Sequence, residues 1–278
     1  MMAQVLDIVT SAAILYAVAT GLLLVFGVMK IINFAHGALL TVGSYAAVVA
    51  SNLGINPWLA VPAAAVVGAL MGGIIEQFVV RPLYTRPLDA ILATWGLGIV
   101  IGQVLTLGFG RGVQFAKAPL TGTLSVLGVD YSYYRLVLVG VAVALGLCIS
   151  GLLTGTRLGL ETRAVIMNED LARGVGINSG LVRFVTFAVG SALAAVAGVL
   201  ITPLSSVDPN MGVPWLVNAF MLVLVSGTSL LALAFSCLVL GGAQVLVSSY
   251  VNPVLGGLTI AVLAAVILRI RPGGLANA

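Results

Sequence analysis

Charge is scarce in this sequence: Asp, Glu, Lys and Arg together make up 7% of 278 residues, while 61% are apolar. A soluble domain carries roughly 25% charged residues. The composition therefore excludes a water-soluble globule, and with it most enzymes that act on dissolved macromolecules. Lysine is almost absent. Neither Lys30 nor Lys117 is followed by Ser or Thr, so there is no G-x-x-x-x-G-K-[ST] phosphate loop and ATP hydrolysis by this chain is not expected. With His36 the sole histidine and no G-x-S-x-G, zinc-protease and serine-hydrolase chemistry have nothing to stand on. Cys148 and Cys237 both lie inside apolar runs, which implies neither a disulfide framework nor a metal site. The net charge of +4 comes from only 12 Lys and Arg without a basic run, so a nucleic-acid partner is not expected.

What is present is long apolar sequence, with a mean hydropathy of +1.21. Runs bounded by charges, Pro and Gly predict spans near 8–29, 37–51, 58–80, 90–109, 136–155, 184–204, 215–226, 229–248 and 253–268. At about 20 residues per spanning helix, little is left for a second domain. The chain reads as all-α, a polytopic transmembrane helical bundle of 8 or 9 spans forming one domain over 1–278. The 37–51 and 215–226 runs are too short to cross about 30 Å of hydrocarbon as straight helices. They predict interrupted helices of the kind tolerated where protein or water satisfies the free backbone. If 215–248 is one tilted helix, the count falls to eight. Gly68, Gly72 and Gly73, or Gly96, Gly98 and Gly102, suit close helix packing. No internal repeat is legible.

With nine spans, Lys30, Arg81, Arg86, Arg157, Arg163, Arg173, Arg183, Arg269 and Arg271 fall on one side, and Arg111, Lys117 and Arg135 on the other. The richer side is expected in the cytoplasm, leaving the N-terminus outside and the C-terminus inside. Trp58, Trp215, Tyr131, Tyr133 and Tyr134 fall at the outer span ends, where amphipathic rings favour the headgroup layer. Met1 to Asp7 lacks the positive region of a cleaved signal peptide, so the first run is expected to be retained.

Seven of the 20 charges lie between Arg157 and Arg183. This 156–183 segment predicts one or two short helices across the cytoplasmic face. Asn168 caps the second, Glu169 and Asp170 stand in its first turn, and Gly174 and Gly176 end it. A solvated loop would be merely polar. Both signs of charge mixed with Val165, Ile166 and Leu171 suit a docking surface better.

Within the spans Glu76 is the clear ionisable group. Near Arg81 it is expected to snorkel toward the interface rather than relay ions. Asn33, His36 and Gly37 at the junction of the first two spans, and Thr94 and Trp95 within the fourth, either pack or line a translocation pathway.

These residues also carry a resemblance. Gly27 to Gly37, with IINFAHG, resembles the N-terminal signature of permeases from branched-chain amino acid (LIV-type) ABC importers. Leu158-Gly159, Arg163-Ala164, Asn168, Ala172, Gly176-Ile177-Asn178, Thr186-Phe187-Ala188 and Ala197-Gly198 are similar to that family's pattern, as is the ending Arg271-Pro272-Gly273-Gly274-Leu275. The resemblance covers nearly the whole chain and points to the shorter permease of the pair. It implies an ABC importer permease fold, a second and different permease, two cytoplasmic ATP-binding subunits carrying ATP and Mg²⁺, and an external substrate-binding protein. This chain would itself bind no cofactor or metal. Glu161, Arg163, Ala164, Asn168, Asp170, Ala172, Arg173 and Gly176 would then couple to the ATPase. The solute would be a small polar nutrient, a branched-chain amino acid or, since Arg86 to Gly96 looks more like the urea and short-chain amide branch, one of those. Ser226-Gly227-Thr228-Ser229-Leu230 departs from the family's usual Gly-Gly-x-Gly-Ser turn. An ion-coupled carrier working alone is the competing reading.

Overall fold

The computed structural model describes residues 2–126, 128–271 and 273–275; Pro272 of the C-terminal motif lies outside them. Eleven α-helices are present among the described residues. They are α1 (Met2–Met29), α2 (Ala35–Asn52), α3 (Ala60–Ile75), α4 (Pro87–Phe109), α5 (Tyr133–Gly155), α6 (Arg157–Met167), α7 (Glu169–Gly174), α8 (Ser179–Ile201), α9 (Gly212–Ser226), α10 (Leu230–Tyr250) and α11 (Pro253–Ile270). A feature outside the all-α expectation is a short antiparallel hairpin, β1 (Thr123–Val126) with β2 (Val129–Ser132), between α4 and α5. Seven segments are long and apolar enough to cross a membrane. Helices α2 and α9 stand at the positions of the two short apolar runs.

Helices α1 and α8 run in opposite directions between the hairpin side, where Asp7 meets Arg135 and the Tyr134 hydroxyl donates to Leu200 O, and the α6–α7 side, where Val28 and Val182 meet Val165. The 215–248 stretch is two helices, not one. Gly227 takes a positive φ of 64° after α9, which glycine adopts without steric cost, and the Ser229 side chain caps α10 by accepting from Ala232 N at 3.3 Å. The departure from the family's turn thus keeps both functions of a helix break.

The chain crosses itself where glycines meet. A Cβ on Gly21 of α1 would lie 2.6 Å from Gly190 O, and one on Gly190 of α8 would lie 2.7 Å from Gly21 O. Gly37 of α2 and Gly212 of α9 stand in the same reciprocal contact. Gly68 and Gly72 of α3 meet Ala195 and Ser191 of α8, as Gly241 and Gly242 of α10 meet Leu15 and Ile8 of α1. The approaches of α3 to α8 and of α4 to α2 are thus matched, upside down, by those of α10 to α1 and of α11 to α9, an inverted arrangement about a pseudo-two-fold axis that is broken where α10 packs on α11 and α3 does not pack on α4. The repeat is conserved in backbone approach rather than in side-chain identity, which is why no repeat is legible in the sequence. Helices α1 and α8 fill the centre, with Leu22, Leu40, Ala197, Leu222 and Leu240 buried in the main core. Helices α4, α5 and α11 lie outermost; α5 has no counterpart.

Candidate functional site

Two places gather the candidate residues. The first is the α6–α7 pair. The chain turns sharply after α5 because Gly159 has no side chain to strike Leu152 O, and Thr156 Oγ1 caps α6 by accepting from Gly159 N at 3.0 Å. Asn168 then breaks the pair. Its extended backbone stops α6 and its Oδ1 accepts from Leu171 N at 3.0 Å to start α7. Gly176, with φ of 89°, ends the element.

The two faces of this pair differ. Val165 and Ala172 are buried against Val28 of α1 and Val182 of α8, with Ala164, Ile166 and Ile177 around them. On the other face Met167, Leu171 and Val175 are 86%, 69% and 79% exposed, beside exposed Arg163 and Asp170. The expected residues thus divide. Ala164 and Ala172 seat the pair on the bundle, Arg163 and Asp170 face out, and Asn168 and Gly176 shape the backbone.

The remaining charges brace the element. Arg157 Nε bonds Glu161 Oε1 at 3.0 Å, and Arg173 bonds both Glu169 Oε1 at 2.8 Å and Ser179 Oγ at 2.7 Å. Glu169 also bonds Arg183 of α8. Exposed i,i+4 pairs are worth only about 0.3–0.5 kcal/mol each, so Arg157–Glu161 fixes orientation more than it stabilises.

The second place is the centre of the bundle. His36 is fully buried and its Nε2 lies 3.1 Å from Val18 O, midway along α1. Residues 30–34 therefore climb back into the bundle before α2 starts, and His36 does not sit at the charged-side junction where the sequence places it. Asn33 Oδ1 accepts from Ala35 N at 3.0 Å, and Thr94 Oγ1 accepts from Phe34 N at 3.2 Å and donates to Ile91 O. Asn33 Nδ2 and His36 Nδ1 have no hydrogen-bond partner among the described residues. Beside them α9 begins, with Gly212 N donating to Thr41 Oγ1 at 3.1 Å. Two helix N-termini, each carrying partial positive charge, thus meet at mid-depth around Gly37 and Gly212. Asn33, His36, Gly37 and Thr94 come together here. Trp95 does not: it is 57% exposed on the outer face of α4.

Glu76 departs from its snorkelling expectation. It opens a π-helical turn, Glu76–Val80, at the end of α3, and it is completely buried. Arg81 bonds Gln77 Oε1 at 2.8 Å instead. The partner of Glu76 is the Tyr84 hydroxyl, which donates to Oε1. Burial, reinforced by the Glu76 hydrogen bond and charge, pushes the Tyr84 phenol far up, so it remains a donor at any physiological pH. The Arg183 guanidinium lies 4.3 Å over the Tyr84 ring. Glu169, Arg183 and Tyr84 are the residues the candidate set omits. The first two stand in the charge-dense segment, but nothing in the sequence points to Tyr84.

Residues 4–269 match a protein-family model described as branched-chain amino acid transport system / permease component. The chain is 28% identical over 226 residues to the high-affinity branched-chain amino acid transport system permease protein BraD of Pseudomonas aeruginosa, covering 76% of this chain and 74% of that protein. It is 29% identical over 240 residues to LivH of Escherichia coli K12, of the same description, covering 81% and 78%. It is also 29% identical over 235 residues to the ribose import permease protein RbsC of Haemophilus influenzae, covering 82% and 70%. In fold it is similar to a chain of PsaBC from Streptococcus pneumoniae in complex with Fab, with a TM-score of 0.53 and 16% identity over 96% of this chain and 91% of that one.

Proposed function

The chain belongs to the branched-chain amino acid transport system / permease component family, so it is the membrane-spanning permease component of an ATP-binding cassette importer, and we propose that α6–α7 is where a separate ATP-binding subunit drives it. The observation that carries the coupling proposal is the two-faced α6–α7 pair. One face is seated on the ends of α1 and α8; the other presents Met167, Leu171 and Val175 to the surroundings. An exposed apolar patch rimmed by charge is the usual mark of a protein contact. Two such ATP-binding subunits, carrying ATP and Mg²⁺, a second permease and an external substrate-binding protein complete the proposed assembly.

The proposed solute is a small polar nutrient. Relatives described as branched-chain amino acid permeases favour an amino acid, and the Arg86–Gly96 run keeps urea and short-chain amides as the second choice. The proposed setting is the bacterial cytoplasmic membrane, with the Arg-rich α6–α7 side in the cytoplasm. We place the translocation pathway at Asn33, His36, Gly37 and Thr94, since buried Asn33 Nδ2 and His36 Nδ1 lack hydrogen-bond partners among the described residues where two half-helix starts meet. Trp95, on the outer face of α4, faces lipid or the second permease. An ion-coupled carrier is not favoured: Glu76 is sealed behind Tyr84, and among the described residues no cluster of carboxylates stands beside it.

Reconstitution of the complete complex in liposomes tests the reading. ATP-dependent accumulation of labelled leucine or urea, dependent on the binding protein, is expected. Accumulation by the lone chain driven by an ion gradient would overturn it.

A further inference from the structure

We propose that Arg183 is a positioning residue which, through Glu169 on one side and Tyr84 and buried Glu76 on the other, locks α7, α8 and the end of the third span into one body. The inference rests on the importer reading above and extends it to residues outside the docking face.

The contacts form a continuous chain. Glu169, in the first turn of α7, bonds Arg183 near the start of α8. Arg183 Cζ lies 4.3 Å from the centre of the Tyr84 ring, and the Tyr84 hydroxyl donates to Glu76 in the π-helical turn that ends α3. A second arm closes the other side, because Glu169 also holds Arg173 at 2.8 Å and Arg173 holds Ser179 at 2.7 Å. Helix α3 already lies against α8 through Gly68 and Gly72, so the polar chain adds a second tie between the third span and α8, as Arg173–Ser179 adds one between α7 and α8. An element tied at one point could pivot; one tied at two is held.

Chemistry explains why these residue types stand here. A guanidinium is planar and can stack on a ring while its edge bonds a carboxylate, which an ammonium cannot do with the same geometry. A carboxylate taken wholly out of water is costly unless bonded, and Glu76 Oε2 has no partner among the described residues. A group kept at such a cost at a π-helical interruption, a feature enriched at functional sites, points to a role beyond packing. The consequence is mechanical. A push on α6–α7 is delivered to α8 and to the third span together, instead of being absorbed by bending of a loop.

The test uses the complete complex in liposomes. Arg183→Gln, and Arg183→Lys, which keeps charge but not stacking, are expected to reduce solute imported per ATP hydrolysed by about tenfold, while the amount of assembled complex and its ATP hydrolysis stay near wild type. A variant that merely lowers the yield of complex, with the import ratio unchanged, would overturn the proposal. Should Arg183→Gln fail to assemble, Glu169→Gln removes one arm and carries the same expectation. A second measurement needs no variant at Arg183. Spin labels at Gly174 of α7, where an added Cβ meets nothing within 4 Å, and at exposed Phe78 should keep one distance with and without a non-hydrolysable ATP analogue in the wild-type background, and a nucleotide-dependent change there would overturn the locked body. Absence of any ATP-dependent uptake by the unmutated complex would instead overturn the importer reading.

Discussion

At the scale of single residues, glycine decides how closely the helices approach, and the cost of each substitution follows from what a Cβ would meet. Gly212→Ala places a methyl against the Gly37 carbonyl, a backbone atom that cannot rotate away. We expect a loss of about 1–3 kcal/mol, typical of overpacking, seen as reduced yield and a lower melting temperature in detergent. Gly108→Ala is the control. Nothing lies within 4 Å of the added atom, so equal or slightly higher stability is expected, since glycine inside a helix is itself unfavourable. His36 shows where residue-level reading of the sequence stops. Its neighbours mark a junction between apolar runs, and hydropathy cannot tell a turn at the membrane surface from a segment that climbs back inside. Only the contact with Val18 O fixes its depth.

At the scale of elements, the α6–α7 pair was the most legible part of the chain. Caps, first-turn acids and glycine stops are local signals, and Asn168, Glu169, Asp170 and Gly176 fall where those signals place them. Asn168→Ala should cost about 1 kcal/mol through the lost cap, read as fraying of α7 by hydrogen exchange. Leu171→Asp is expected to weaken capture of the ATP-binding subunit by about 2 kcal/mol, the loss of a central contact. Arg163→Glu is expected to do so more mildly, and neither should alter membrane insertion, since neither side chain is buried in the bundle. Quantitative co-purification checks both. The tie from Glu169 through Arg183 to Tyr84 was not legible, because it joins residues from three elements whose meeting depends on tertiary packing alone. The hairpin of β1 and β2 is not legible for a different reason: four-residue strands within the mixed 110–132 connection give too short an alternation to distinguish from loop.

For the whole molecule, the apolar runs sufficed to give the class, since long hydropathic stretches need no tertiary knowledge. With nine crossings the two ends are expected on opposite sides. In a Cys148→Ser background, Val5→Cys should react with a membrane-impermeant maleimide from outside intact cells and Ile270→Cys only after permeabilisation; the reverse pattern would refute the orientation. The upside-down correspondence of α1–α4 with α8–α11 has a further consequence through α5, the helix without a counterpart. Four crossings return a polypeptide to the face from which it started, so two four-helix copies joined directly would insert the same way up. The unmatched fifth crossing supplies the odd parity that flips the second copy, and removing it would abolish the axis even if every glycine contact within each copy survived.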